Sequence, residues 1–437
     1  MYKTRILPVP DPDSLGRFRP PTSTSSSSAA SPLDHWDAAE SAPGLDALVT
    51  AAGHIRNTDV PVGFPTETVY GLGADATRSG AVRGIFSVKG RPSDNPLIVH
   101  VCDLDMLREL CNTELPAIYR PLVEKFWPGP LTILLPVPEA AKYTLAPEVT
   151  AGLSTFGARL PASPLTRTLI RLADAPLAGP SANASTRPSP TTAQHVVDDL
   201  NGRIEVVLDG GACGVGVEST VVDGLCEPPV ILRPGGISLA DLRTVPGWEK
   251  VERAYHDVAH GGNAQKDDKA QAAEDTLKPR APGMKYKHYS PKARVVLYEG
   301  GKTPVLSRDA LIKDIEGAGQ QASVVGVVRT STWPKLTSSL EKTVTGLNGA
   351  AAPTSSTEDI DGVVYHLETY SLPSGPKVFE LYLGRDLSSI AHGLFSALRD
   401  LDARGAEVIL IEGIDDGGDD MAAAVMNRLR KAASEVR

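Results

Sequence analysis

Between Gly44 and Arg56 the apolar residues Leu45, Leu48, Val49, Ala52 and Ile55 recur at steps of three and four. That is the period of a helix with one face on a core. The pattern then changes to short apolar runs bounded by Gly, Pro and polar residues, the mark of buried strands. These runs are Pro61–Pro65, Leu97–Val101, Leu131–Val137, Thr155–Leu160, Val206–Asp209, Ser219–Asp223 and Val230–Leu232. Helical periods lie at Leu165–Leu172 and Thr192–Leu200. The strands within 206–232 follow one another with no room for a helix between them. Residues 44–244 therefore read as an α/β domain on a twisted, mixed sheet, not a purely doubly wound one.

A second alternation begins near Arg294. Strands are expected at Val295–Tyr298, Ser323–Val328, Val378–Leu383 and Val408–Ile411. Helices are expected at Ala310–Ile315, along Ile390, Leu394, Leu398 and Leu401, and at Met421–Ala433. This is the pattern of a smaller Rossmann-like parallel α/β domain over 293–437. Three polar stretches interrupt the chain. Residues 1–43, with the run PPTSTSSSSAASP at Pro20–Pro32, read as a low-complexity extension, so order is expected to start near Gly44. Residues 245–292 read as a linker whose end, 281–291, carries two Tyr, one His and two Lys between prolines and is expected to touch something. Residues 331–360 read as an inserted loop.

Composition narrows the functional classes. The chain has 437 residues, 44 Lys and Arg against 53 Asp and Glu, and a formal net charge of −9. This argues against a non-specific nucleic-acid coat, though not against a local basic site. The four cysteines, Cys102, Cys111, Cys213 and Cys226, form no CxxC and no zinc-finger spacing, which excludes a disulfide scaffold and fits a reducing compartment. No apolar run reaches the length of a membrane-spanning helix. Lys3, Arg5, Arg17, Arg19 and the Ser run have the flavour of a transit peptide, which Asp11 and Asp13 oppose. The expected location is the cytoplasm, with a mitochondrial form left open.

Two nucleotide signatures fail. Gly301-Lys302-Thr303 ends like a phosphate-binding loop, but position 296 is Val where the first Gly should be. Gly71-Leu-Gly-Ala-Asp-Ala76 matches a dinucleotide fingerprint, but Arg78, Ser79 and Gly80 do not read as a helix opening. The informative residues lie elsewhere. Lys89 and Arg91 sit two apart on a Gly/Pro-stiffened loop, and Ser181 and Asn183 sit two apart in GPSAN. Lys supplies a point charge and Arg a bidentate fork for phosphoryl oxygens, while Ser and Asn add neutral donors and acceptors. Arg233, on a Pro-Gly-Gly loop, adds a third cation. Taken singly, Lys89 and Arg91 read better as solvated loop charges. Spacing alone stops at an α/β enzyme or binder of an anionic ligand.

In order, the segments FPTETVYGLG, KGRPSDNPLIVH, FWPGPLT, GPSANAS, ESTV and ILRPGG resemble the YrdC-like threonylcarbamoyl-AMP synthases. APGMKYKHYSP and the C-terminal NRLRKAA are similar to the long two-domain form of that family. The resemblance implies that L-threonine, bicarbonate or CO2, and ATP with Mg2+ give threonylcarbamoyl-adenylate and pyrophosphate. A separate complex would pass the threonylcarbamoyl group to adenosine beside the tRNA anticodon. It further implies that Thr68, His100, Arg159, Ser181 and Ser219 surround threonine. Arg91, Asn95, Thr155, Asn183, Thr191, Arg233 and Tyr289 would contact the nucleotide, and Lys89, Arg91, Ser181 and Asn183 match the KxR…SxN signature. Tyr289 depends on 281–291 folding back as a lid. No side chain stands out as a covalent nucleophile, so positioning and electrostatics would carry the chemistry. Two other readings stand beside this one. A carbamoyl-adenylate-forming maturation factor would need an acylphosphatase domain and Cys-rich zinc motifs. A non-catalytic double-stranded-RNA-binding module would use the same basic face.

Overall fold

The computed structural model describes residues 2–20, 31–254, 288–301, 306–336, 354–360, 363–372, 375–417 and 420–437. Two compact units result, the first drawn from residues 1–185 and 189–256 and the second from 186–188 and 287–437. No helix among the described residues is long and apolar enough to cross a membrane.

The first unit is built on an 11-stranded mixed sheet. Its spatial order is Arg5–Pro8, Val206–Asp209, Val62–Phe64, Gly71–Asp75, Leu177–Ala178, Ile98–His100, Thr155–Arg159, Leu131–Pro136, Thr220–Asp223, Val230–Arg233 and Glu252–Arg253. Helix Leu45–Asn57 buries Leu48, Ala51, Ala52 and Ile55, as its period requires, but leaves Val49 exposed. Helix Pro164–Ala173 starts on proline, with the Ser163 hydroxyl accepting the Thr166 N–H. Thr192 caps helix Ala193–Leu200 in the same way.

Two expected boundaries are corrected. Order does not wait for Gly44: Arg5–Pro8 pairs in parallel with Val206–Asp209, and Gly16–Phe18 pairs with Trp36–Ala38. Leu15 and Trp36 join the core. The stretch looked polar because its few apolar residues follow no period, yet Val9, Leu15, Leu33 and Trp36 are buried. The Ser-rich centre, 21–30, lies outside the described residues. At the other end the domain does not stop at 244. Val245, Trp248 and Val251 enter the core, and Glu252–Arg253 extends the sheet. Only from 255 does the expected linker lie outside the described residues, up to 287.

Trp36 offers a direct test of the N-terminal correction. Its indole N–H donates to Thr168 Oγ1 at 2.9 Å, the Arg167 guanidinium lies 4.1 Å over its ring, and Phe18 meets it edge-on at 4.9 Å. Trp36→Ala should lower the unfolding free energy by about 3–5 kcal/mol, read from urea denaturation. A change within error would mean that the N-terminal segment is not part of the fold.

The second unit carries a 7-stranded sheet in the order Thr354–Ile360, Val363–Ser371, Lys377–Tyr382, Val324–Arg329, Val408–Glu412, Arg294–Tyr298 and Glu435–Val436. The last five strands are parallel, the Rossmann-like core expected from sequence. The first two form an antiparallel hairpin, so the end of the expected 331–360 loop is a strand. Its sequence, TSSTEDI, has no apolar alternation to announce it. Helices Arg308–Gly319, Leu387–Ala403 and Asp420–Ala432 are the expected connections, the first two capped by Ser307 and Asp386.

Candidate active site

The site begins at Pro65-Thr-Glu-Thr68, where the chain leaves strand Val62–Phe64. Thr66 Oγ1 donates to the Val69 carbonyl at 2.7 Å and meets Thr68 Oγ1 at 2.8 Å, locking a tight turn. The chain returns as strand Gly71–Asp75, which sequence reading missed. A Cβ on Gly71 or Gly73 would fall 2.5 or 2.6 Å from the Phe64 ring. These glycines make room for an aromatic side chain in a strand; they do not form a phosphate loop. Helix Ser79–Lys89 does follow, contrary to expectation, and Lys89 is its last residue, not a loop residue. Its C-cap, Gly90, adopts φ +62°, the left-handed backbone that glycine takes at helix ends.

That placement buries Lys89 at 4% exposure. Its Nζ donates to the carbonyls of Ser181 and Asn183, the latter at 2.5 Å. The Ser181 hydroxyl donates to Asn183 Oδ1 at 2.5 Å, so the two side chains face each other as their spacing predicted. The Ala182 N–H donates to the Tyr70 carbonyl and the Leu72 N–H to the Pro180 carbonyl, fastening this segment to the chain that follows the 65–68 turn. The lysine thus brings a charge to the segment while fixing its backbone.

Arg159 ends strand Thr155–Arg159 and is also 4% exposed. Its guanidinium donates to Glu67 Oε1 at 2.6 Å, Thr68 Oγ1 at 3.0 Å and the Gly129 carbonyl at 3.2 Å. Glu67 Oε2 accepts the Ala162 N–H at 3.0 Å. Glu67 was quoted within its motif but not singled out. The pairing depends on residues 92 positions apart, which no local spacing reveals. Next to Arg159 in register stands His100. It is buried, and its Nδ1 has no hydrogen-bond partner among the described residues. Burial, with the nearby Arg159 charge, lowers its pKa to about 3. The imidazole is therefore neutral at physiological pH and offers a ligand a hydrogen bond, not a charge.

The sign of the resulting pH dependence is set. Unfolded His100 takes a proton near its ordinary value of 6.5, folded His100 only near 3. The unfolded chain binds more protons between these values, so His100 removes stability as pH falls through that window. Denaturation midpoints measured at pH 7.5 and 5.0 should drop less in His100→Asn than in the parent chain. Equal drops would remove His100 as the cause.

Ser219 opens the next part of the cluster. Its hydroxyl meets Thr132 Oγ1 at 2.8 Å and accepts from Arg233 Nη2 at 3.0 Å. Arg233 also donates through Nε and Nη2 to the Ser219 carbonyl. The loop ahead of Ser219 ties the parts together: Val215 and Gly216 donate backbone N–H to the Glu67 and Thr68 carbonyls, and Cys213 to Thr191. Glu218 accepts from Ser189 at 2.5 Å. Burial raises the Cys213 thiol pKa well above its usual value, so it stays protonated and is no nucleophile. Thr132 and Glu218 were not picked out from sequence; both act through partners far along the chain.

The remaining candidates are more spread. Arg91 donates to the Asn95 and Pro96 carbonyls, bracing its own loop. Asn95 is buried, with an unpartnered Oδ1. Thr155 starts the strand that Arg159 ends, and Asn95 precedes the parallel partner strand that His100 ends. Asn95 and Thr155 thus lie at the opposite strand ends from His100 and Arg159. Thr191 is fully buried, its N–H directed at His195 Nδ1 at 3.3 Å. Tyr289 belongs to the second unit, where its ring stacks on Phe395 at 5.2 Å. Residues 281–287 of the expected lid lie outside the described residues.

A mixed α/β domain that assembles Lys89, Arg159 and Arg233 with hydroxyls and an amide around one set of buried turns has the furniture of an enzyme for small anionic substrates. Residues 55–235 match the Sua5/YciO/YrdC family model, described as "Telomere recombination", and residues 237–434 match "Threonylcarbamoyl-AMP synthase, C-terminal domain". The chain belongs to the threonylcarbamoyl-AMP synthase family. It is 44% identical over 413 residues to the threonylcarbamoyl-AMP synthase of Schizosaccharomyces pombe, covering 89% of each chain. It is 38% identical to that of Bacillus subtilis, covering 88% of this chain and 92% of the relative. Among solved structures, P. abyssi Sua5 complexed with L-threonine superposes with a TM-score of 0.65 at 38% identity, covering 89% of this chain and 95% of the other.

Proposed function

We propose that this protein joins L-threonine, bicarbonate or CO2, and ATP into threonylcarbamoyl-adenylate, releasing pyrophosphate, and that the product supplies the threonylcarbamoyl group for adenosine beside the tRNA anticodon. The observation that carries the reading is the convergence of two buried cationic clusters, Lys89 with Ser181 and Asn183, and Arg159 with Glu67 and Thr68, in a chain of this family. The solved relative bound to L-threonine supports an amino-acid subsite, assigned here to Thr68, His100, Arg159, Ser181 and Ser219. Arg91, Asn95, Thr155, Asn183, Thr191 and Arg233 would then serve the nucleotide.

The chemistry follows in two steps. The threonine nitrogen bonds to the CO2 carbon and releases an N–H proton to solvent, giving a carbamate; starting from bicarbonate, that proton leaves with the departing hydroxide as water. A carbamate oxygen then attacks the α-phosphorus of ATP and pyrophosphate leaves. Arg159 anchors the amino-acid carboxylate, which fixes where the amine stands. Lys89 and Arg91 offset the charge that gathers on the phosphoryl oxygens. Among the described residues no group of three His, Cys, Asp or Glu is placed to hold a metal ion. Mg2+ would arrive with the nucleotide substrate, carried by its phosphates and water. A downstream transfer complex completes the modification.

The test is pyrophosphate release from ATP, Mg2+, bicarbonate and threonine. Release that needs both threonine and bicarbonate is expected. Release that persists without bicarbonate would mean simple amino-acid activation. Salt-dependent RNA binding with no threonine-dependent turnover would favour the RNA-binding reading.

A further inference from the structure

In the second unit a cavity of about 260 Å³ opens where the strands Arg294–Tyr298, Val324–Arg329 and Val408–Glu412 end. Its wall includes Glu299, Gly301, Ser331, Trp333, Glu412 and Asp415, none of which the proposed synthase reaction uses. In open α/β sheets, ligands occupy the crevice beyond the carboxyl ends of the strands, where connections from neighbouring strands leave in opposite directions. Val324–Arg329 and Val408–Glu412 are such neighbours. The next strands after the first, Thr354–Ile360, Val363–Ser371 and Lys377–Tyr382, all lie on its outer side, and the next strand after the second, Glu435–Val436, lies the other way.

The cavity is a built feature. Glu412 Oε1 accepts the Trp333 N–H at 2.9 Å and the Thr332 hydroxyl at 2.7 Å, and Oε2 accepts the Thr330 N–H at 2.6 Å. This carboxylate fixes the loop that presents Ser331 and Trp333. Trp333 in turn packs edge-on against Tyr298 at 5.0 Å. The two strand-end loops close on glycine: a Cβ on Gly300 would fall 2.1 Å from the Ile414 backbone, and the Gly413 N–H donates to the Tyr298 carbonyl at 2.8 Å. Thr330, beside the lining Ser331, is buried with its hydroxyl unpartnered among the described residues.

The lining defines the ligand. Among the described residues it contains three carboxylates, Glu299, Glu412 and Asp415, and no Lys, Arg or His. Glu299 is held by Arg430 through two contacts of 2.8 Å and Glu412 by the loop, while Asp415 is exposed and accepts the Gly417 N–H. Among these described residues a phosphate would meet carboxylates and no cation. A molecule with neighbouring hydroxyls and a flat ring suits it: hydroxyls donate to carboxylate, and the ring packs on indole. The volume lies below the usual range for drug-sized ligands, too small for a dinucleotide. We propose that this cavity binds a nucleoside without phosphate, its ribose hydroxyls on Asp415 and its base against Trp333.

The test is calorimetric titration of the full-length chain with adenosine and with AMP. To separate this site from the nucleotide site of the first unit, an Arg91→Ala, Arg233→Ala chain is titrated in parallel. Adenosine should bind that chain, AMP should bind it at least tenfold more weakly, and adding Asp415→Lys should weaken adenosine at least tenfold. Asp415 is exposed, so that variant folds; Trp333→Phe should weaken adenosine without changing the adenosine-over-AMP preference. Absence of adenosine binding to the Arg91→Ala, Arg233→Ala chain overturns the proposal. So does equal binding of AMP, or adenosine binding indifferent to Asp415→Lys.

Discussion

Replacing Lys89 with Met should lower threonine-dependent pyrophosphate release by about 10³-fold, the scale of removing a donor aimed at transition-state charge. Met keeps the aliphatic stem in its buried channel but removes the ammonium. Two effects then coincide. The Ser181 and Asn183 carbonyls lose their shared donor, and the segment that presents the Ser181 hydroxyl and the Asn183 amide is released. The charge facing the phosphoryl oxygens is lost as well. Because the buried carbonyls go unpaired, the variant should also be destabilised by about 1–3 kcal/mol. The two consequences are separable by measuring turnover well below the unfolding temperature. Undiminished turnover would remove Lys89 from the catalytic cluster.

Arg159→Ala should act on the other substrate. Losing a bidentate, charge-assisted contact of about 3 kcal/mol should raise the KM for threonine about 100-fold and leave the KM for ATP unchanged. Arg159→Lys keeps the charge without the fork and should recover only part of the loss. The structure adds a second expectation. Glu67 would lose its partner, and breaking such a pair costs about 3 kcal/mol, less whatever solvent reaches the carboxylate. Equal changes in both KM values would place Arg159 in the scaffold, not in an amino-acid subsite.

Much of the framework was legible in the sequence, for definable reasons. Strands such as Leu131–Pro136 and Val206–Asp209 are continuous apolar runs, and helix Pro164–Ala173 announces itself by the helical period of Leu165–Leu172. Strand Gly71–Asp75 was missed because two of its five residues are glycines, selected by the bulk of Phe64 on the neighbouring strand. Helix Ser79–Lys89 was missed for want of a capping side chain; its N-cap is Arg78, with no side-chain cap bond. In the site, the facing of Ser181 and Asn183 could be read from spacing, because two residues in extended chain share a side. The Glu67–Arg159 pair and the Thr132–Ser219 contact could not, because tertiary folding creates them. Val49 shows the limit of periodicity itself: it keeps the helical step but lies beyond the edge of the buried face, which smaller Ala51 occupies.

The parallel pairing of Arg5–Pro8 with Val206–Asp209 bears on how the protein should be produced and trimmed. Cutting the chain at Gly44, the boundary its composition invites, would strip the border strand from the sheet. The row of N–H and C=O groups along Val206–Asp209 would then be open to any passing strand, and Leu208 and Val206 would accompany it to the surface. Such a shortened protein should come out of expression as self-associated material, and the first dozen residues, however unpromising in composition, act as its guard against aggregation.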